Sequence, residues 1–376
     1  MKYSHWGRRS LLARNYARLT AGKETPHTEL MRPALFQLLA ALAVACVYST
    51  NTLGIPVSSK VAPATRVIAP PPPDSIAAAP AYPRRPVRFI IPAPPGGTVD
   101  HIARLMTTPL TEQMGKPFVL DNRGGAGGVI AAELIANAAP DGHTLGMIYT
   151  SYTTNAVLRA KPPYSPTRDN TPITQATASP LLLAAHVNLP VKSVSELVAL
   201  AKTKPMLYGS AGNGTGGHMC GELFNAMAGS KVTHVPYKGA AAATNEVVSG
   251  QVAYQFAGPI TVLGLGRAGR LRLLAVTSLK RAQALPDIPT VDESGVPGFE
   301  VVNWFGTVAP PATPRFIVDR LHAEIKRALA QDDIRTRLTS EGSEIVATTP
   351  DEFRAFIRKD VEKWAKVVKL AGIRVD

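Results

Sequence analysis

Two glycine-rich segments carry the most legible chemistry in this sequence. Ala93-Pro94-Pro95-Gly96-Gly97-Thr98-Val99-Asp100 follows an apolar run, Val87–Ile91, and precedes residues with helical spacing. Ser210-Ala211-Gly212-Asn213-Gly214-Thr215 stands in the same relation to Met206–Gly209 and His218–Met227. In both, a strand feeds a glycine turn that opens a helix. A helix start presents unpaired amide donors and a partial positive charge, and glycine lets the backbone approach a ligand closely. Such a turn can bind an anion without Lys or Arg. Ser210, Asn213 and Thr215 add side-chain donors. One turn on each of two lobes would clamp a ligand with a carboxylate at either end. The bland alternative is a pair of ordinary strand-to-helix turns.

Rival motifs fail on detail. Gly212–Gly217 matches G-x-G-x-x-G, but a dinucleotide site needs an acid at the end of the next strand. That strand, Val232–Val235, ends in Pro236-Tyr237-Lys238. No Gly-Lys-Ser or Gly-Lys-Thr follows a glycine loop, and Tyr208–Gly212 lacks the first glycine of a nucleophile elbow. Ser210 and His218 could pair as nucleophile and base in a hydrolase-like or transferase enzyme, although nothing marks an orienting acid. His218 and Cys220 lie two apart on a helix and do not share a face, so no metal site is expected and no cofactor is implied. His218 reads as a packing or capping residue and Cys220 as a small hydrophobe.

The elements that must position these loops alternate. Strands are expected at Val87–Ile91, Phe118–Leu120, Thr144–Tyr149, Leu181–Ala185, Met206–Gly209, Val232–Pro236, Val252–Phe256 and Leu271–Thr277. Helices are expected after each glycine turn, including Gly124–Gly128, and over Ser195–Lys202, Ala240–Ser249, Phe316–Gln331, Asp332–Ser340 and Pro350–Leu370. Pro109 should kink or restart the first helix. Alternation of this kind implies an α/β protein with mainly parallel sheets.

Composition divides the chain. Its 376 residues carry 41 Lys and Arg against 27 Asp and Glu, a net +14. Residues 1–81 hold nine basic and three acidic residues, so +6 belongs to them. The basic residues elsewhere are scattered without aromatic interleaving, which argues against nucleic-acid binding. Residues 1–55 read as an export leader. Met31-Arg32 precedes an apolar run, 34–48, broken only by Gln37. Fifteen helical residues span about 22 Å, short of a bilayer core of about 30 Å. The pattern is that of a secretory signal. Arg8-Arg9 offers a weaker twin-arginine reading, and the true start is Met1 or Met31. Cys46 follows a small-x-small site and is the candidate for lipidation. Residues 56–81 form a Pro/Ala-rich linker, expected to be extended.

The motifs taken in order resemble the Bug family, the TctC-like solute-binding proteins of tripartite tricarboxylate transporters. The resemblance covers Tyr82 to about Ile373. It rests on Tyr82-Pro83-x-Arg85-Pro86-Val87-Arg88, Pro92–Asp100, Asn122–Gly128 and Ala139–Leu145. It continues with Ser210–Thr215 plus His218, Val235–Gly239, Leu285–Val291 and Gly295–Phe299. It implies a type II periplasmic-binding-protein fold, two-lobed, with a ligand cleft between lobes joined by crossing strands. Domain 1 would be 82–182 with 304–376, and domain 2 would be 183–303. Family members bind small carboxylates. Carried over by motif, Ala93–Thr98 and Asp100 belong to the first lobe's contacts, and Ser210–Thr215 with His218 to the second's. Tyr149, Ser151 and Asn155 supply a further wall. Gly96, Gly97 and Thr98 are expected to donate to one carboxylate, whereas Asp100 is expected to hold the loop. Ala253 and Ala257 stand where the family often has an acid, which disfavours an amino-acid ligand. Ala93 replaces a common Phe.

The reading that follows is a periplasmic, non-enzymatic, monomeric binding protein that delivers an organic carboxylate to membrane transporter subunits. A sensor protein such as a receptor kinase is the other candidate partner.

Overall fold

The computed structural model describes residues 81–373. The leader, Cys46 and almost all of the Pro/Ala-rich linker lie outside the described residues. No described helix is long and apolar enough to cross a membrane.

Two sheets organise the chain. The first has six strands: β1 (Val87–Ile91), β2 (Phe118–Asn122), β3 (Thr144–Tyr149), β4 (Thr171–Pro180), β10 (Val302–Ala309) and β11 (Glu344–Ile345), in the order β11-β4-β10-β3-β1-β2. The second has five: β5 (Leu182–His186), β6 (Leu207–Ser210), β7 (Thr233–Pro236), β8 (Tyr254–Ala257) and β9 (Leu271–Val276), in the order β7-β6-β8-β5-β9. Both are mixed, which corrects the expectation of mainly parallel sheets. β1 pairs in parallel with β2 and β3, but β10 is antiparallel to both β3 and β4. In the second sheet β6 is parallel to β7 and β8, while β5 is antiparallel to β8 and β9. The reversal comes from the segments that carry the chain between sheets.

Those segments are β4 running into β5 and the return through Val301 into β10. β4 and β10 pair along their length, from Val302 opposite Pro180 to Ala309 opposite Thr171. Thr277, fully buried, ties both crossings. Its backbone N–H donates to the Leu181 carbonyl, its carbonyl accepts from Val301 N–H, and its Oγ1 accepts from Leu181 N–H at 2.8 Å.

The helices are α1 (Thr98–Met114), α2 (Val129–Ala136), α3 (Ser151–Leu158), α4 (Val194–Thr203), α5 (Gly216–Ala228), α6 (Ala240–Ser249), α7 (Pro259–Arg267), α8 (Arg315–Leu329), α9 (Asp332–Ser340) and α10 (Pro350–Ala371). α1 runs through Pro109 without a break. The proline forfeits one amide bond, while its neighbours Met106 and Leu110 stay buried against β1 and α8. In α2 the buried face is Val129, Ala131, Ala132 and Ile135, leaving Ile130 and Leu134 exposed. α10 starts with a capping box between Thr349 and Glu352. It then spans both lobes: Phe353 and Ile357 pack beside Trp304 on the first sheet, and Trp364 and Val367 join the core of the second lobe. Between them Asp360 is buried, accepting from Thr153 Oγ1 at 2.5 Å and Trp304 Nε1 at 3.0 Å. Burial pushes its carboxyl above the usual range, against the pull of those two donors.

β10 leaves no room at Gly306. A Cβ there would lie 2.3 Å from Phe353 Cζ and 2.9 Å from the Thr174 carbonyl. Gly306→Ala should therefore lower stability by about 1–3 kcal/mol through overpacking. An unchanged urea midpoint for that variant would contradict this packing.

Candidate functional site

A cavity of about 590 Å³ opens between the two sheets. That size suits a small ligand. The β1–α1 loop supplies Pro92, Ala93, Pro94, Pro95, Gly97 and Thr98, and the β6–α5 loop supplies Ala211, Gly212, Asn213 and Thr215. Gly124–Gly128 and Tyr149 add to the wall from the first lobe. Pro236–Ala241 and Gln255–Gly258 add to it from the second, and Asn303 and Phe305 stand on β10.

Five helix starts meet here. The N-cap residues of α1, α2, α5, α6 and α7 are Gly97, Gly128, Thr215, Gly239 and Gly258, and all five are on the wall. None of them makes a side-chain capping bond. Away from the wall, α4 and α10 have side-chain caps from Ser193 and Thr349, whereas α3, α8 and α9 have none. An uncapped start leaves its first amides to bond something other than protein side chains. The wall carries two charged side chains, Arg159 and Lys238, and no Asp or Glu. The field inside is therefore positive from both dipoles and cations.

The remaining expected site residues stand behind the wall. Gly96, at φ +89°, turns its N–H back to Asp100 Oδ2 at 3.1 Å. Asp100 also accepts from Arg104 Nε (2.9 Å), Arg104 Nη2 (3.1 Å) and Asn122 Nδ2 (2.9 Å). Burial opposes its charge, but these donors outweigh burial and hold the carboxyl below the usual range. Its charge is thus spent on fixing the first loop.

Gly214, Ser151 and Asn155 belong to a seam between the lobes. Asn155 Nδ2 donates to the carbonyls of Gly127 (3.2 Å) and Ser151 (3.1 Å). Thr154 Oγ1 donates to the Gly214 carbonyl. Gly127, at φ +67°, lies so close that a Cβ would sit 2.2 Å from the Asn213 carbonyl oxygen.

Ser210 and His218 do not pair, which corrects the nucleophile–base arrangement considered above. Ser210 Oγ is 2.6 Å from Nε2 of His234, a residue the motif reading passed over. It also lies 3.1 Å from both the N–H and the carbonyl of Gly212. With 1% exposure it has no open face for attack on a substrate. His218 Nδ1 accepts the Gly214 N–H at 3.1 Å, and its ring lies 4.1 Å from that of His234. Nδ1 must be unprotonated to accept, so His218 is neutral in this arrangement. Thr215 Oγ1 donates to the Gly212 carbonyl at 2.7 Å. Ser210, Thr215 and His218 therefore brace the loop whose amides face the cavity.

Much of the wall escaped the sequence reading, including Asn303 and Phe305 on β10, Gln255, Phe256, Arg159, Lys238 and the start of α7. Arg159 and Lys238 looked like two of many scattered cations. α7 was missed because Gly264, Gly266 and the β-branched Ile260, Thr261 and Val262 read against a helix. Its one positive signal was Pro259 at the first helical position.

The site and fold are those of a two-lobed solute-binding protein. The sequence matches the family described as "Tripartite tricarboxylate transporter family receptor" over residues 102–373, and the chain belongs to that family. It is 35% identical over 298 residues to protein BugT of Bordetella pertussis, an alignment covering 78% of this chain and 91% of BugT. Among solved structures it is similar to Rpa4515 of R. palustris with adipate, at 36% identity and TM-score 0.75, covering 78% of this chain and 99% of the other. It is likewise similar to the periplasmic binding protein BugD, at 33% identity and TM-score 0.75, covering 78% and 99%.

The histidine pair sets a pH dependence. Burial pushes His218 down from 6.5 to about 4. Burial, reinforced by His218, pushes His234 down to about 3. In the unfolded chain both titrate near 6.5. Between that value and the folded values the unfolded state binds more protons, so stability is complete above pH 6.5 and falls as pH is lowered. From pH 7.5 to 4.5 the loss from His218 should be on the order of 2–3 kcal/mol. Urea titrations at the two pH values measure it, and equal unfolding free energies would contradict the neutral, buried pair.

Proposed function

We propose that the chain is an extracytoplasmic receptor that captures a small organic carboxylate in the cavity between its lobes and hands it to a membrane transporter. The observation that carries this reading is the wall itself. Five uncapped helix starts and two cations face the cavity, with no carboxylate side chain to repel an anion. The amides of Gly97 and Thr98 on the first loop and of Ala211 and Asn213 on the second are the proposed donors, with Tyr149 beside them. Gly96, Asp100, Ser151, Asn155, Ser210, Gly214 and His218 are proposed to position those donors. That the similar Rpa4515 structure is with adipate supports the ligand class. Ala257 on the wall, with Ala253 nearby in sequence, supplies no anion for an ammonium group, so a plain carboxylic acid fits better than an amino acid.

The proposed division follows the sheets, with 82–182 and 304–376 as one lobe and 183–303 as the other. Ligand bound to amides of both lobes stabilises the closed pair relative to any open one, and a partner that reads the closed shape detects occupancy. The partners proposed are the membrane subunits of a tripartite transporter, met by a monomeric receptor in the periplasm. Export through the leader and retention through Cys46 complete that proposal. No catalytic step is proposed, since Ser210 is buried and fully engaged.

Thermal-shift screening against a panel of organic carboxylates tests the reading. A true ligand at 100 times its dissociation constant should add about 2.7 kcal/mol to stability. A folded protein that no carboxylate stabilises would count against it.

A further inference from the structure

We infer that Arg159 is the residue that reads the far end of the ligand, and that it selects solutes with a second carboxylate over their one-carboxylate counterparts. The inference rests on the carboxylate reading above and adds a specificity residue to it.

Arg159 is the C-cap of α3 and reaches the cavity wall. It is partly buried, and its Nε is sealed from solvent with no hydrogen-bond partner on the protein. Among the described residues it makes no ion pair, whereas Arg85, Arg88, Arg104 and Arg123 each hold an aspartate. A guanidinium has five donors and no way to shed its charge. Leaving a donor buried and unmatched costs stability, and a sequence that required only packing here would be served by an uncharged side chain. What makes the cation tolerable is its position, because the C-terminal end of α3 carries partial negative charge.

The location explains its use. α3 holds the seam between lobes through Thr154 and Asn155, and Arg159 follows one turn later. The uncapped starts of α1, α2, α5, α6 and α7 provide amides for one carboxylate without a charged side chain. Arg159 adds what amides lack: a full positive charge on a planar fork that matches a carboxylate in two-point contact. Lys238, the other cation on the wall, is exposed and flexible, so it contributes attraction with less geometric selection.

Matched pairs of acids test this: succinate with butyrate, adipate with hexanoate, and terephthalate with benzoate. Titration calorimetry would compare wild type, Arg159→Gln and Arg159→Lys, with the free-state melting temperature of each variant recorded. In the pair that wild type binds best, the dicarboxylate should bind more tightly than its partner. Arg159→Gln should weaken the dicarboxylate at least about tenfold, the loss of one charged hydrogen-bonded contact. The one-carboxylate partner should stay within about twofold, and Arg159→Lys should recover part of the difference. Dicarboxylate affinity unchanged in Arg159→Gln would overturn the inference and leave the carboxylate reading intact. So would an equal loss for both acids of a pair. Wild-type protein that binds no acid of any pair would overturn the carboxylate reading and this inference with it.

Discussion

Backbone amides that the protein does not satisfy with its own side chains dominate this structure. A helix start normally finds a Ser, Thr, Asp or Asn to accept from its free N–H groups. α4 and α10 do so, through Ser193 and Thr349. The five starts on the cavity wall do not, and four of their N-caps are glycine. Thr215, the exception, turns its hydroxyl to the Gly212 carbonyl instead. Convergence of five such ends in one cavity concentrates positive potential in a space from which protein carboxylates are absent.

Everything around the cavity keeps those amides in place. Asp100 gathers four donor contacts to fix the first loop, and its charge is consumed in doing so. The second loop is braced from behind by Ser210, His234 and His218, which must stay neutral for the Gly214 amide to be held. Thr277 clasps the two crossing segments at the lobe boundary. Asp360 and Trp364 anchor the C-terminal helix across both lobes. Polar side chains here serve as scaffolding, and the groups facing the ligand are mostly backbone.

That inversion decides what could be read from sequence. Glycine turns after apolar strands advertise amide sites, so Gly96–Thr98 and Gly212–Thr215 were visible as candidate anion loops. α6 and α9 were delimited to the residue because their apolar spacing is regular. Side chains that hold the loops were harder to place, since pairing depends on tertiary contact. Ser210 has His218 nearby in sequence but His234 nearby in space. The crossing strands were not located at all. β4, Thr-Pro-Ile-Thr-Gln-Ala-Thr-Ala-Ser-Pro, is small and polar and starts and ends near proline. It is buried by neighbours on both sides, so it shows no alternation to detect. β10 contains Asn303 and Gly306, which read against a strand. Missing these two strands is also why the sheets were expected to be mainly parallel.

The most direct test is a crystal structure of the protein with the small molecule that co-purifies from its native host. The account predicts a carboxylate in the cavity, with its oxygens about 3 Å from the amides that open α1, α2, α5, α6 or α7. A neutral solute in that cavity, or an acid held away from those amides, would contradict it.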